Sequence, residues 1–275
     1  MKLELSGPIL ILGAGKMGGA LLSGLLSRGL QPADVLVQDP APPAETASII
    51  AAHAIGQAAS FDKLETPPSV ILAAVKPQVM DDVFPSAARH AGPHTLSLSI
   101  AAGRTIASFA KYLPAGSAIV RAMPNTPAAI GHGMTVCCAS ADVSAGQKEL
   151  ATRLMSAVGK VAWIDDEALM DAVTAVSGSG PAYAFHLVEC MAEAGVAAGL
   201  DPDLSAELAR ATVAGSGALL DHSDKPAGEL RRNVTSPGGT TAAALDVLME
   251  DDVMRRLFVR AIAAAKKRGE ELSGN

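Results

Sequence analysis

From Gly7 to about Trp163, short runs of Val, Ile and Leu alternate with stretches of helical apolar spacing. The runs are Ile9 to Leu12, Val35 to Val37, Val70 to Val75, Thr95 to Leu98, Ala118 to Val120 and Val136 to Cys138. A strand that is apolar at successive positions is buried on both faces, so the pattern predicts βαβ units around a mostly parallel sheet. Beyond Asp165 the strand signals vanish. Ala-, Leu- and Met-rich stretches run from there to the basic end Lys266-Lys267-Arg268, whose cations complement the dipole of a last helix. The break near Trp163 to Asp166 divides the chain into a first domain, 1–164, and an all-helical second domain, 165–275.

One predicted helix runs from Pro181, a residue favoured at a first helical position, to Gly199, a suitable stop. Its only charges are Glu189 and Glu193, which with His186 form one i, i+3, i+7 stripe. So narrow a polar stripe requires cover nearly all round, which a second domain of about 110 residues supplies with difficulty by itself, and a partner subunit is expected over it. Gly195, Gly215 and Gly217 lie inside helical patterns at about 1 kcal/mol each relative to Ala, a cost that close helix approach or a local kink would explain.

Composition narrows the classes of function. With 49% apolar and 18% charged residues the chain has ample surface to bury and is globular. A net charge of −6 has the wrong sign for neutralising phosphates, so neither nucleic acid nor an anionic membrane is an expected partner. No 18 apolar residues run together, and Pro8 to Leu12 is too short for the apolar core of a signal peptide. Adjacent Cys137 and Cys138 with an isolated Cys190 fit neither a disulfide framework nor a spaced metal site. Three packing cysteines, a reducing cytoplasm and no metal are expected.

Gly13-Ala14-Gly15-Lys16-Met17-Gly18 follows the first predicted strand and opens a helix carrying Leu21, Leu22, Leu25 and Leu26. In a G-x-G-x-x-G turn the first glycine makes the bend, the second admits a pyrophosphate and the third permits close helix–strand packing, so this context points to dinucleotide binding. Lys16 does not make a P-loop, because Leu10 stands where that motif needs glycine and Met17 where it needs Ser or Thr. Asp39 ends the second strand 21 residues after Gly18, where a carboxylate meets the adenosine ribose. A 2′-phosphate there would be repelled by on the order of 4 kcal/mol at about 4 Å and an effective dielectric of about 20. No Arg or Lys lies between Arg28 and Lys63 to offset this, so NADH is expected to be favoured over NADPH. The alternative is that Asp39 only caps the turn into Pro40.

Two more loops fall at carboxyl ends of strands, where such sheets place ligands. Ala74-Val75-Lys76-Pro77 puts Lys76 either toward the cofactor's ribose and phosphates or into solvent. Met123-Pro124-Asn125-Thr126-Pro127 puts Asn125 either against the nicotinamide carboxamide or into its own turn. In the apolar second half two polar islands stand out, Val176 to Pro181 and Asn233 to Thr241. The stretch Ser236-Pro237-Gly238-Gly239-Thr240-Thr241 is either a capped helix start or a carboxylate site built on a helix N-terminus.

Taken together, the run from Asn233 through Thr241 to Leu248, the segment from Val173 to Leu200, Ala74 to Pro77 and Arg121 to Pro127 resemble the pyrroline-5-carboxylate reductase family. The resemblance covers essentially the whole chain, and S-P-G-G-x-T is its most specific stretch. It implies a Rossmann-like, doubly wound, mostly parallel α/β domain that binds NADH or NADPH, followed by an all-helical dimerisation domain. It further implies a homodimer or a larger homo-oligomer and a cyclic imine substrate bound between the cofactor and the helical segment. The implied reaction is reduction of 1-pyrroline-5-carboxylate to L-proline, the final step of proline biosynthesis. By the same resemblance Thr241 presents its hydroxyl to the imine nitrogen, and the backbone of Gly238, Gly239 and Thr240, beside Ser236, holds the carboxylate. Ser177 and Ser179 line the pocket or cap the helix at Pro181. Asp39 departs from the many relatives that accept NADPH. The competing readings are a dehydrogenase of small hydroxy acids, for which Lys225 and His186 are the available groups, and a non-catalytic dinucleotide sensor. His53, His90, His94, His132 and His222 are expected to be solvated.

Overall fold

The computed structural model describes residues 5–274. Eight strands, β1 (Ile9–Leu12), β2 (Val35–Gln38), β3 (Gly56–Ala58), β4 (Val70–Ala73), β5 (Leu96–Ser99), β6 (Ala118–Met123), β7 (Gly133–Ala139) and β8 (Gly159–Trp163), form one sheet in the order β3-β2-β1-β4-β5-β6-β7-β8. Every pairing is parallel except that of β6 with β7. Residues 124–132 are too few for a crossover helix, so the chain after β6 returns antiparallel. The order reverses between β1 and β4, which opens a crevice at their carboxyl ends.

Alternate residues of the buried strands feed two cores, as the pleat requires. Ile9, Ile11, Val37 and Leu72 pack with Leu21, Leu22 and Leu25 of α1 (Lys16–Ser27) on one face. On the other, Leu10, Leu12 and Ile71 pack with Phe84 and Phe109, whose rings meet edge to face at 4.9 Å. The helices α2 (Ala44–Ala52), α3 (Met80–Ala88), α4 (Ile106–Ala110) and α5 (Ala145–Met155) complete the layers. Two strands lie outside the expected runs: β3 is a short, mostly exposed edge, and β8 is a half-buried one. Between β7 and β8 the backbones pass so closely that a Cβ on Gly159, at φ 149°, would lie 1.9 Å from the Gly133 carbonyl oxygen.

After β8 come α6 (Met170–Val173), a π-helical turn at Thr174–Gly178, and the helices α7 (Gly180–Ala197), α8 (Pro202–His222), α9 (Ala227–Asn233), α10 (Thr240–Met249) and α11 (Val253–Ser273). The chain forms two compact units. One runs up to Gly178 and takes back the end of α11 from Ala265, and the other is Ser179–Ala264. The expected divide at 164/165 precedes a segment that groups with the sheet, because Glu167 accepts from Arg121 Nη1 at 3.0 Å and from the Ile106 backbone N–H at 2.9 Å.

In the second unit, helix α7 starts at Gly180, one residue before the expected Pro181, and ends at Ala197. A Cβ on Gly195 would fall 2.1 Å from Ser205 Oγ, so close approach of α7 and α8 explains that glycine, whereas Gly215 and Gly217 meet nothing within 4 Å. Among the described residues none of α7 or α10 is buried, and α8 buries only Ser205 and Ala209. Phe185 (65% exposed), Leu219 and Val247 stand in the open. Cys137 and Cys138 pack inside, and burial pushes the Cys137 thiol up to about 12. Cys190, the third cysteine, does not pack within the single chain. It is exposed on α7, its Sγ 3.6 Å from His186 Nε2, while His186 Nδ1 sits 2.9 Å from Glu189 Oε2. Among the described residues no helix is long and apolar enough to cross a membrane.

Candidate active site

The turn between β1 and α1 divides its labour among three glycines. Gly13 takes φ 83°, and a Cβ there would lie 2.7 Å from Val75 Cγ1. Gly18 brings helix to turn, since a Cβ on it would sit 2.2 Å from the Gly13 carbonyl oxygen. Gly15, between them, faces open space within 4 Å. A bend, an opening and a close packing contact are what a pyrophosphate needs, and these residues fit a dinucleotide. Helix α1 has no side-chain cap and no acid in its first turn, so its N–H donors face an anion without a competitor. Lys16 is exposed and Met17 half-buried at the same helix start.

The Asp39 carboxylate is fixed at both oxygens: Oδ2 accepts from the Ala14 N–H at 2.7 Å and Oδ1 from the Ala41 N–H at 2.9 Å. Oδ1 thus caps the turn into Pro40, while Oδ2 pins the glycine turn. A cavity of about 480 Å³ opens beside it, lined by Gly13, Asp39, Pro40, Val75, Val79 and Asp82 among others. No lysine or arginine among the described residues lines it. Asp82, from the first turn of α3, and Gln38, a polar end to an apolar strand, also line it and were not singled out from the sequence. The signal for Asp82 was its place one helical turn past the Lys76 loop. Ala74 and Val75 are half-buried beside Gly13, Lys76 is exposed, and Pro77 starts a short 3-10 turn, Pro77–Val79.

Asn125 is engaged by protein on both ends of its amide. Its Oδ1 accepts from the Met134 N–H at 2.9 Å, and its Nδ2 donates to the Ser177 carbonyl at 3.3 Å and to Ser177 Oγ at 3.4 Å. Ser177 therefore belongs with the first unit. Ser179, Ser236, Gly238, Gly239, Thr240 and Thr241 belong to the second. There, Gly238 takes φ 68°, and Gly239 is the N-cap of α10 with no side-chain cap. The Gly239 N–H turns back to the Ser236 carbonyl at 3.1 Å, and the first in-helix bond runs from the Ala243 N–H to the Gly239 carbonyl at 3.2 Å. The donors of Thr240, Thr241 and Ala242 precede that first bond and point along the helix axis, which suits a carboxylate. Thr241, half-buried, stands in the same turn.

A doubly wound sheet with an open glycine turn at its switch point, joined to a helical unit that buries almost nothing of its own, defines a two-domain dinucleotide-dependent oxidoreductase. The family model for pyrroline-5-carboxylate reductase dimerisation matches residues 167–272, and one for NADP oxidoreductase, coenzyme F420-dependent, matches residues 8–103. The chain is 40% identical to the pyrroline-5-carboxylate reductase of Pseudomonas aeruginosa over 265 residues, with 96% of each chain covered. It is 42% identical to that of Mycobacterium leprae, again with 96% of each covered. The structure of the Coxiella burnetii pyrroline-5-carboxylate reductase superposes with a TM-score of 0.90 at 33% identity, covering 97% of this chain and 98% of that one. The Plasmodium falciparum pyrroline carboxylate reductase, solved with NADP bound, gives 0.80 at 28% identity, with 98% of each covered. The chain belongs to the pyrroline-5-carboxylate reductase family.

Proposed function

We propose that this chain reduces 1-pyrroline-5-carboxylate to L-proline with NAD(P)H through the residues described above. The observation that carries the reading is the pair of anion-ready helix starts, one after Gly15 and one after Gly239, in a chain of this family. When bound, the reduced nicotinamide supplies the hydride that adds to the C=N carbon. Hydride adds readily only when the imine nitrogen is protonated or strongly hydrogen-bonded, because the electron pair of the C=N bond then has a place to go. Thr241 donates to that nitrogen and orients it, and the proton comes from solvent, since a threonine hydroxyl is a poor standing acid. The N–H groups of Gly238 and Thr240, with Gly239 as the cap and Ser236 folded over it, hold the carboxylate. Fixing the ring in this way supplies several kcal/mol of barrier reduction. Ser177 and Ser179 line the substrate pocket. Gly13, Gly15, Lys16, Met17, Gly18 and Ala74 to Pro77 hold the cofactor. Loss of NAD(P)H absorbance with the imine, with proline as product and no turnover of hydroxy or keto acids, tests the assignment.

NADH is the favoured cofactor in this reading. Among the described residues the cavity beside the glycine turn presents Asp39 and Asp82 and no lysine or arginine, so a 2′-phosphate there meets like charge without relief. The kcat/KM with NADH should exceed that with NADPH, and Asp39→Ser should narrow the ratio by about tenfold, equivalent to about 1.4 kcal/mol. A ratio at or below one in the wild type would reject the preference.

The working enzyme is a homo-oligomer joined through its helical unit, supported by the exposed faces of α7, α8 and α10. Light scattering should give at least twice the mass of one chain, and Leu219→Glu should shift the population toward monomer or aggregate. The same reading places it in a reducing cytoplasm, where three unpaired cysteines persist.

A further inference from the structure

Ser177 lies four residues before Pro181, so the carbonyl that an ordinary helix would satisfy from residue 181 finds no N–H there. The chain widens at this point into the π-helical turn Thr174–Gly178, with Thr174 Oγ1 bonding back to the Met170 carbonyl at 2.9 Å. Such turns hold an extra residue in a helix and need outside support to persist. The support comes from alternate residues of β6 and its continuation. Arg121 pairs with Glu167 at 3.0 Å, Met123 Cε lies where a Cβ on Gly178 would come within 2.6 Å, and the Asn125 amide reaches the Ser177 carbonyl and hydroxyl. Residues i, i+2 and i+4 of an extended chain share one side. That side grips the segment 167–178 at its start, its end and its orphaned carbonyl.

We infer that Asn125 is a positioning residue that replaces the donor missing at Pro181 and thereby fixes the π-helical turn carrying Ser177, rather than a ligand of the nicotinamide. Both ends of its amide are already committed, with the Met134 N–H on Oδ1 and Ser177 on Nδ2. Without it, the Ser177 carbonyl has no donor and the turn that carries Ser177 loses its fixed geometry. The inference rests on the proposed imine reductase activity, because its effect is read on the imine.

Asn125→Asp keeps the acceptor for Met134 and turns an oxygen toward the Ser177 carbonyl, while Asn125→Ala removes both contacts. Each should lower kcat/KM for 1-pyrroline-5-carboxylate by about 10- to 100-fold, the cost of misplacing a group by about an ångström. The Kd for NADH from titration calorimetry should stay within about twofold of wild type in both. Pro181→Ala offers the Ser177 carbonyl the N–H of an ordinary i→i+4 helical bond, so Asn125→Ala/Pro181→Ala should close a plain helix in place of the π-helical turn and recover none of the imine kcat/KM that Asn125→Ala loses. A rise of about tenfold in the NADH Kd with imine KM unchanged would instead make Asn125 a cofactor ligand. Wild-type kinetics in both single variants, or wild-type kcat/KM in the double variant, would equally overturn the inference. A wild type that binds NADH but never turns over the imine would overturn the activity on which the inference rests.

Discussion

Thr241→Ala is expected to lower kcat by about 10- to 100-fold with NADH binding unchanged, the loss of about 1.4 to 2.7 kcal/mol of hydrogen bonding made chiefly in the transition state. In the proposed mechanism the C=N π pair moves onto nitrogen as hydride adds to the carbon, and a donor held at that nitrogen stabilises it. Thr241 stands in the first turn of α10, whose backbone donors are not yet committed to the helix. Removing its hydroxyl should leave that turn intact, so imine KM should change less than kcat. Steady-state kinetics with calorimetry for NADH checks both halves. Unaltered turnover would remove Thr241 from the chemistry, and a weakened cofactor would mean that the substitution had disturbed more than one hydrogen bond.

Arg121→Met should strongly destabilise the first unit. Arg121 is 4% exposed in the middle of the sheet, and its partner Glu167 also accepts from the first N–H of α4. Removing the cation leaves a carboxylate facing the protein with one neutral donor, which costs about 3 kcal/mol for a largely buried pair, less where water reaches the acid. The melting midpoint should fall by roughly 6 to 12 °C for a unit of this size. Adding Glu167→Gln, which keeps an acceptor for Ile106, should recover about 1 kcal/mol or more through the coupling between the two. A midpoint within about 2 °C of wild type in Arg121→Met would show that the pair holds nothing together.

Strands buried on both faces were readable because continuous apolar runs are their mark, and β1 appears at the expected residues. Gly56-Gln57-Ala58 and Gly159 to Trp163 were not, because an edge strand has one neighbour only and is half open to solvent, so it needs no long apolar run to mark it. The direction of β7 lay in the length of the preceding loop, not in the strand itself. At the cofactor end the glycine turn was legible, since each glycine meets a local demand of the backbone. Asp39 was legible as a carboxylate in place, but its grip on Ala14 was not, because that contact joins residues 25 apart. Asn125 stood out as a candidate, yet its two partners come from a returning strand and from a turn made by a proline 56 residues later. Such contacts exist only once the sheet has assembled.

The open faces of α7, α8 and α10 also tie folding to mass action. Helices that bury almost nothing within their own chain draw their stability from association, so folding and assembly become one equilibrium governed by protomer concentration. Dilution would then cost this enzyme its helical half and the proposed carboxylate site together, while the glycine turn, seated on a sheet with two cores of its own, outlasts them.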